Sequence, residues 1–208
     1  MNRFESTGRT GHQGRVVRAA VAALALGAIA VLAAGCGTTR GLNSVYKDPE
    51  IDLSLVQTVA VMPFDNLTSD DQAGERVRDV FSTMLQATGA VYVVPPGEVA
   101  KAVGRVRVAK TQEPAPEEVT AIGTAVKADV VITGVVREYG QVRSGNSTAN
   151  AIAVSVKLFA TESGKVIWSG SSTAGGVTAS DRFFGGGGEP MELVTEDALR
   201  DLIDQIYK

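Results

Sequence analysis

The 208-residue chain carries 20 basic and 23 acidic side chains, a net charge of −3, with one cysteine and one histidine. Its charge is dispersed, which excludes the clustered basic surface that nucleic-acid binding needs. The histidine is His12, inside an N-terminal leader, so the remainder has no imidazole for a Ser-His-Asp or Cys-His nucleophile or for a histidine-zinc centre.

In chain order, Arg15 and Arg18 precede a sixteen-residue apolar run, Ala19 to Ala34, that leads into Ala33-Ala34-Gly35-Cys36. A basic start, a short apolar stretch and small residues before a cut mark a secretory leader. A retained membrane anchor would need about 20 apolar residues, and this run is shorter. The segment resembles a bacterial lipobox, with Ala33 where leucine is commonest and Leu32 one place earlier. The resemblance implies acylation of Cys36 on its sulfur, then cleavage between Gly35 and Cys36, then acylation of its new amine. Several acyl chains hold a protein on a bilayer far more firmly than one. Gly37, standing where aspartate does not, resembles the outer-membrane sorting class.

Residues 1–35 are accordingly read as a signal peptide. They hold four arginines against Glu5, so removing them takes the net charge from −3 to −6. A lipidated Cys36 leaves no thiol for a disulfide, and packing alone must stabilise what remains. Residues 36–55 are polar and patternless and read as a lipidated flexible tether, reaching at most about 70 Å when taut. Residues 56–208 suit a single domain.

Val56 to Pro63 is a β-branched run stopped by proline and by the turn-forming pair Asp65-Asn66, which predicts a buried first strand. Ser69 or Asp70 can cap a following helix. Val77, Val80, Phe81, Met84 and Leu85 then recur at helical spacing until Gly89. Val91 to Val94 predicts a short second strand, Glu98 to Val103 a helical turn, and Arg105 to Pro114 a loop. Pro116 with Glu117 and Glu118 is a sound helix start, with Val119, Ile122 and Val126 inward. Ala128 to Val136 predicts a third strand that continues past Glu138 and Tyr139. From Ala149 to Ala160, Ile152, Val154, Val156 and Leu158 alternate with Ala151, Ala153, Ser155, Lys157 and Phe159, the pattern of a half-buried antiparallel strand. Thr161 to Gly164 turns it into a partner, Lys165 to Gly170. Gly185 to Gly188 reads as a loop, and Glu192 to Ile206 as an amphipathic helix with Leu199, Leu202, Ile203 and Ile206 inward. The order predicts an α/β fold: a mixed sheet of about five strands, parallel first and antiparallel after, packed by helices.

Four segments, in this order, carry a resemblance: Val59-Ala60-Val61-Met62-Pro63-Phe64-Asp65-Asn66, the helix after it, Ala128-Asp129-Val130-Val131-Ile132-Thr133-Gly134, and Thr161 to Gly170 with Trp168. With the lipobox, they resemble the small bacterial envelope lipoproteins related to LpoB, CsgG and the amino-terminal domain of TolB. The resemblance implies a non-catalytic protein anchored in the outer membrane through Cys36, with a periplasmic domain that binds another envelope protein in assembly, secretion or cell-wall synthesis. Two alternatives follow from it: a ring-forming subunit of a CsgG-like secretion channel, and an LpoB-like activator of a peptidoglycan synthase. Self-association is compatible with all of these, and no cofactor is implied. The first alternative requires a lipid-facing apolar strand face of about 9–11 residues, which Ile152 to Leu158 approaches but a core explains more simply.

Asp65 with Asn66, and Phe183 with Phe184, are the candidate partner contacts. Asp65, Asn66, Asp70 and Asp71 follow the first strand, where open α/β sheets keep their ligand crevice. Their spacing matches no calcium loop, and turn and cap duties account for them, so no metal is expected. Phe183 and Phe184 beside the glycine run could touch a partner, or fold back onto the sheet as aromatics usually do. The four glycines lack the lysine spacing of a nucleotide loop.

Overall fold

A computed structural model describes residues 45–177 and 188–208. The proposed leader, Gly35, Cys36, Phe183 and Phe184 lie outside the described residues.

Seven strands form one sheet: β1 (Tyr46–Lys47), β2 (Thr58–Val61), β3 (Asp65–Asn66), β4 (Tyr92–Val93), β5 (Val130–Ser144), β6 (Ser147–Ala160) and β7 (Val166–Gly175). The helices are α1 (Ala73–Ala87), α2 (Pro96–Val106), α3 (Pro116–Val126) and α4 (Met191–Ile206). The sheet order is β1-β7-β6-β5-β2-β4, with β3 also on β5. β2 pairs in parallel with β4 and β5, as β3 does with β5, while β5, β6, β7 and β1 pair antiparallel. This is the expected mixed α/β sheet. The five expected strands are all present, and β1 and β3 add two residues each.

Alternation in β2 sends Val59 and Val61 to one face and Ala60 and Met62 to the other. The first face packs under α1 and α4, where Val77, Phe81 and Leu85 at helical spacing meet Ile132, Val154, Leu158, Leu199 and Leu202. Burying each of the larger side chains contributes about 1.5–3 kcal/mol. The second face joins Met62, Val131 and Phe159 to Val99 and Ala102 of α2 and to Val119 and Ile122 of α3. Ile152, Val154, Val156 and Leu158 thus serve as core, at 0–4% exposure. Trp168 is fully buried on that face, its ring over Gly170.

Two local expectations shift. The short turn at Glu98 to Val103 is an eleven-residue helix that takes in Arg105 and Val106, because Pro96 stands in its first turn and the buried Val99 and Ala102 anchor it. Residues 45–55, assigned to the tether, reach the sheet: Asp48 N–H donates to the Ile167 carbonyl at 2.9 Å, and Leu53 is buried. The α2–α3 connection is pinned across the sheet, with Thr133 Oγ1 donating to the Gln112 carbonyl at 3.4 Å and Lys157 3.5 Å from Glu113.

Candidate protein-contact site

β2 stops short of Pro63, which has no N–H to continue the ladder. Phe64 then turns inward and lies on Gly134 of β5, where an added Cβ would come within 2.6 Å of three ring atoms. This is the close approach that a glycine inside a strand signals. The Phe64 ring sits 5.8 Å from that of Phe81 on α1, so strand, loop and helix are locked together. The chain leaves this lock as β3, with Asp65 opposite Val135 and Asn66 opposite Val136.

The polar residues that follow are spoken for. Asp65 Oδ1 accepts from Thr111 Oγ1 at 2.5 Å. Asn66 donates to the Asp70 carbonyl at 2.6 Å and accepts from the Thr68 amide at 3.0 Å and its hydroxyl at 2.8 Å. Asp70 accepts from the Gln72 amide and pairs with Arg76 at 3.1 Å. Gln72, rather than Ser69 or Asp70, therefore occupies the cap position of α1. The loop gathers Asp65, Asn66 and Asp70 as the sequence implied, while Asp71 stays exposed. Among the described residues no three His, Cys, Asp or Glu side chains are grouped to hold a metal.

What the closed loop leaves outside is Leu67, tied by its amide to the Val136 carbonyl at 2.9 Å yet 65% exposed. Facing it is the distal part of β5. The register against β6 shifts between Val136 and Glu138, leaving Arg137 as an extra, exposed residue. Such a bulge re-aims the side chains beyond it. Leu67, Thr68, Arg137, Glu138 and Tyr139 thereby border a cleft of about 330 Å³. Tyr139 also floors a groove of about 600 Å³ between α1 and α4, beside Val80, Arg76, Glu192 and Glu196. An exposed leucine and a half-buried tyrosine within a polar rim make the chemistry of a protein contact, in which a few apolar anchors carry the energy. Leu67 and Tyr139 are absent from the sequence-derived candidates. The available signal was one apolar residue in the polar run Asn66 to Asp71; the bulge gave none.

Residues 42–173 match the family described as peptidoglycan-synthase activator LpoB. No curated protein matches the chain. Among solved structures, the PelC dodecamer from Paraburkholderia phytofirmans is similar over 78% of this chain and 96% of its own, at 18% identity and a TM-score of 0.52. Lipoprotein GNA1162 from Neisseria meningitidis is similar over 73% and 98%, at 16% identity and a TM-score of 0.49. The LpoB C-terminal domain from Salmonella enterica is similar over 61% and 86%, at 16% identity and a TM-score of 0.43. At such identities the PelC likeness speaks to the fold alone.

Proposed function

The chain belongs to the LpoB family of peptidoglycan-synthase activators, and on that premise we propose that it is a non-catalytic accessory protein of the cell envelope that binds and stimulates a peptidoglycan synthase. The family match over residues 42–173 carries this reading, because it spans both walls of the Leu67–Tyr139 cleft. In this reading residues 1–35 are removed, Cys36 is acylated, and the domain faces the periplasm from the outer membrane. At most about 30 Å of chain separates Cys36 from Val45.

The contact would use Leu67 and Tyr139 as anchors and the loop polar groups as the rim, with Asp65 and Asn66 holding the loop in shape. Photo-crosslinking in intact cells from Leu67 and Tyr139, followed by mass spectrometry, tests it. A synthase is expected as the main adduct. Leu67→Asp is expected to abolish both the adduct and the stimulation of glycan polymerisation by the purified synthase, with an unchanged melting curve. Equal stimulation by the variant, or adducts that contain no cell-wall enzyme, would end the proposal. For the anchor, labelled palmitate is expected to enter the wild-type protein and not Cys36→Ser; equal labelling of the two would remove the lipid anchor from the proposal.

A further inference from the structure

The outermost strands of the sheet, β1 and β4, have two residues each, and Pro95 and Pro96 follow β4. Short strands and prolines blunt a sheet edge. β5 is different. β3 leaves its side once the Leu67 amide has reached the Val136 carbonyl at 2.9 Å, yet β5 runs on against β6 alone, from Glu138 to Ser144, without a proline.

Two hydrogen bonds fix which backbone groups face outward there. The Asn150 carbonyl points away from β5, accepting from the Gly176 amide at 2.8 Å. The residue opposite it, Gln141, therefore sits in a non-hydrogen-bonded pair, with its own N–H and C=O turned away from β6. Tyr139 and Arg143, two residues to either side, share that direction. The Val136 carbonyl, also turned away from β6, gives the same phase once Arg137 is counted as the extra residue of the bulge. Among the described residues, no strand or loop takes the outward N–H or C=O of Tyr139, Gln141 or Arg143. Between the first two, Gly140 holds φ 142° with nothing within 4 Å of where a Cβ would stand. At Gly134 that space is filled by Phe64; at Gly140 it is open to the approach of another backbone.

We infer that the bound partner supplies an extended, proline-free segment that adds as a strand to this edge of β5, in line with β3. The outward groups recur every second residue, about 6.8 Å apart. An extended main chain meets that spacing, whereas a helix has its amides bonded internally. Main-chain bonds of this kind supply affinity, and pockets for alternate side chains supply selectivity. Leu67, Val142 and Ala151 border the same cleft, so the segment carries an apolar side chain at the position that faces them. The inference rests on the protein-contact reading of the Leu67–Tyr139 cleft and adds the form that the partner takes there.

Hydrogen exchange at single-residue resolution, on the full detergent-extracted protein alone and with the purified synthase, tests it. Protection is expected to alternate. The amides of Tyr139, Gln141 and Arg143 slow about tenfold or more, while those of Gly140 and Val142, already bonded to β6, change little. Gln141→Pro deletes one outward donor and none that faces β6, a place where an edge strand tolerates proline. It is expected to weaken synthase binding about tenfold with an unchanged melting curve. Thr148→Pro, opposite Arg143 on the other edge of the same ribbon, is expected to bind as wild type. A bound synthase with no slowing at the three amides, equal slowing at all five, or full affinity in Gln141→Pro would overturn strand addition; Leu67 adducts that persist in such a sample leave the contact reading standing. Loss of the Leu67 adducts themselves overturns both. Slowing that grows with protein concentration in the absence of synthase would assign the edge to a second copy and overturn the inference as well.

Discussion

The parallel and antiparallel halves of the sheet are held by different means. β2, β3 and β4 have four, two and two residues, whereas β5, β6 and β7 have 15, 14 and 10. The long strands share a ladder that runs nearly their whole length. The short ones depend on single contacts: Phe64 on Gly134, Thr111 on Asp65, and Asp129, whose Oδ2 accepts from the Gln57 and Thr58 amides at 2.9 Å. A half fixed by a few point contacts presents loops whose shape is set residue by residue. A half fixed by a ladder is a platform. The Leu67–Tyr139 cleft lies where one meets the other.

The sharpest way to break this comparison is Trp168→Ala. If packing under the antiparallel ladder carries that half, the loss is about 3–5 kcal/mol in urea unfolding; a loss below about 1 kcal/mol would mean that the ladder suffices alone. Gly134→Ala tests the parallel half, where the new methyl must displace the Phe64 ring at a cost of about 1–3 kcal/mol. Pairing it with Phe64→Leu in a double-mutant cycle should recover part of that loss, and strict additivity would show the two residues to be uncoupled. Asp129→Ala removes two amide partners at the start of β2 and should cost about 1 kcal/mol, with faster hydrogen exchange at Gln57 and Thr58. Uniform exchange across the sheet would contradict point-contact anchoring.

The smallest effect is at the edge of the described domain. Hydrogen bonds from the Ser54 side chain and backbone hold the Asp52 carboxyl below its ordinary value of 3.8. A lowered carboxylate pKa stabilises the fold above the unfolded value, and the contribution fades as pH falls through the folded one. An NMR titration should place Asp52 under 3.8, and Ser54→Ala should raise it; a midpoint at or above 3.8 removes the effect.

Elements whose signal is local were legible in the sequence. The Ile152-to-Leu158 alternation, the Pro116 helix start and Gly164 as a turn residue, at φ 67°, all follow from nearest neighbours along the chain. A glycine inside a strand signals a close approach, but nothing near Gly134 in the chain says that its neighbour is Phe64. What escaped was set by distant partners. Tyr46–Lys47 lacks any strand pattern and is a strand only because β7 offers an edge. The length of α2 rests on burial of Val99 and Ala102 against Met62 and Phe159. Of the candidate site, Asp65 and Asn66 mark the loop in the sequence, but they shape it from within, and the surface it presents is Leu67 with the residues beyond a bulge that no local pattern announces.

The pairing of β1 with β7 has a mechanical side. Any pull arriving from upstream of Val45 meets first a ladder of two residues, Tyr46 opposite Ser169 and Lys47 opposite Trp168, backed by the Asp48 bond to Ile167. Under load such a short ladder peels before the sheet yields. The ten residues from Tyr46 to Leu55 would then pay out about 35 Å of slack, checked by the seats of Ile51 and Leu53, and leave the folded body undamaged.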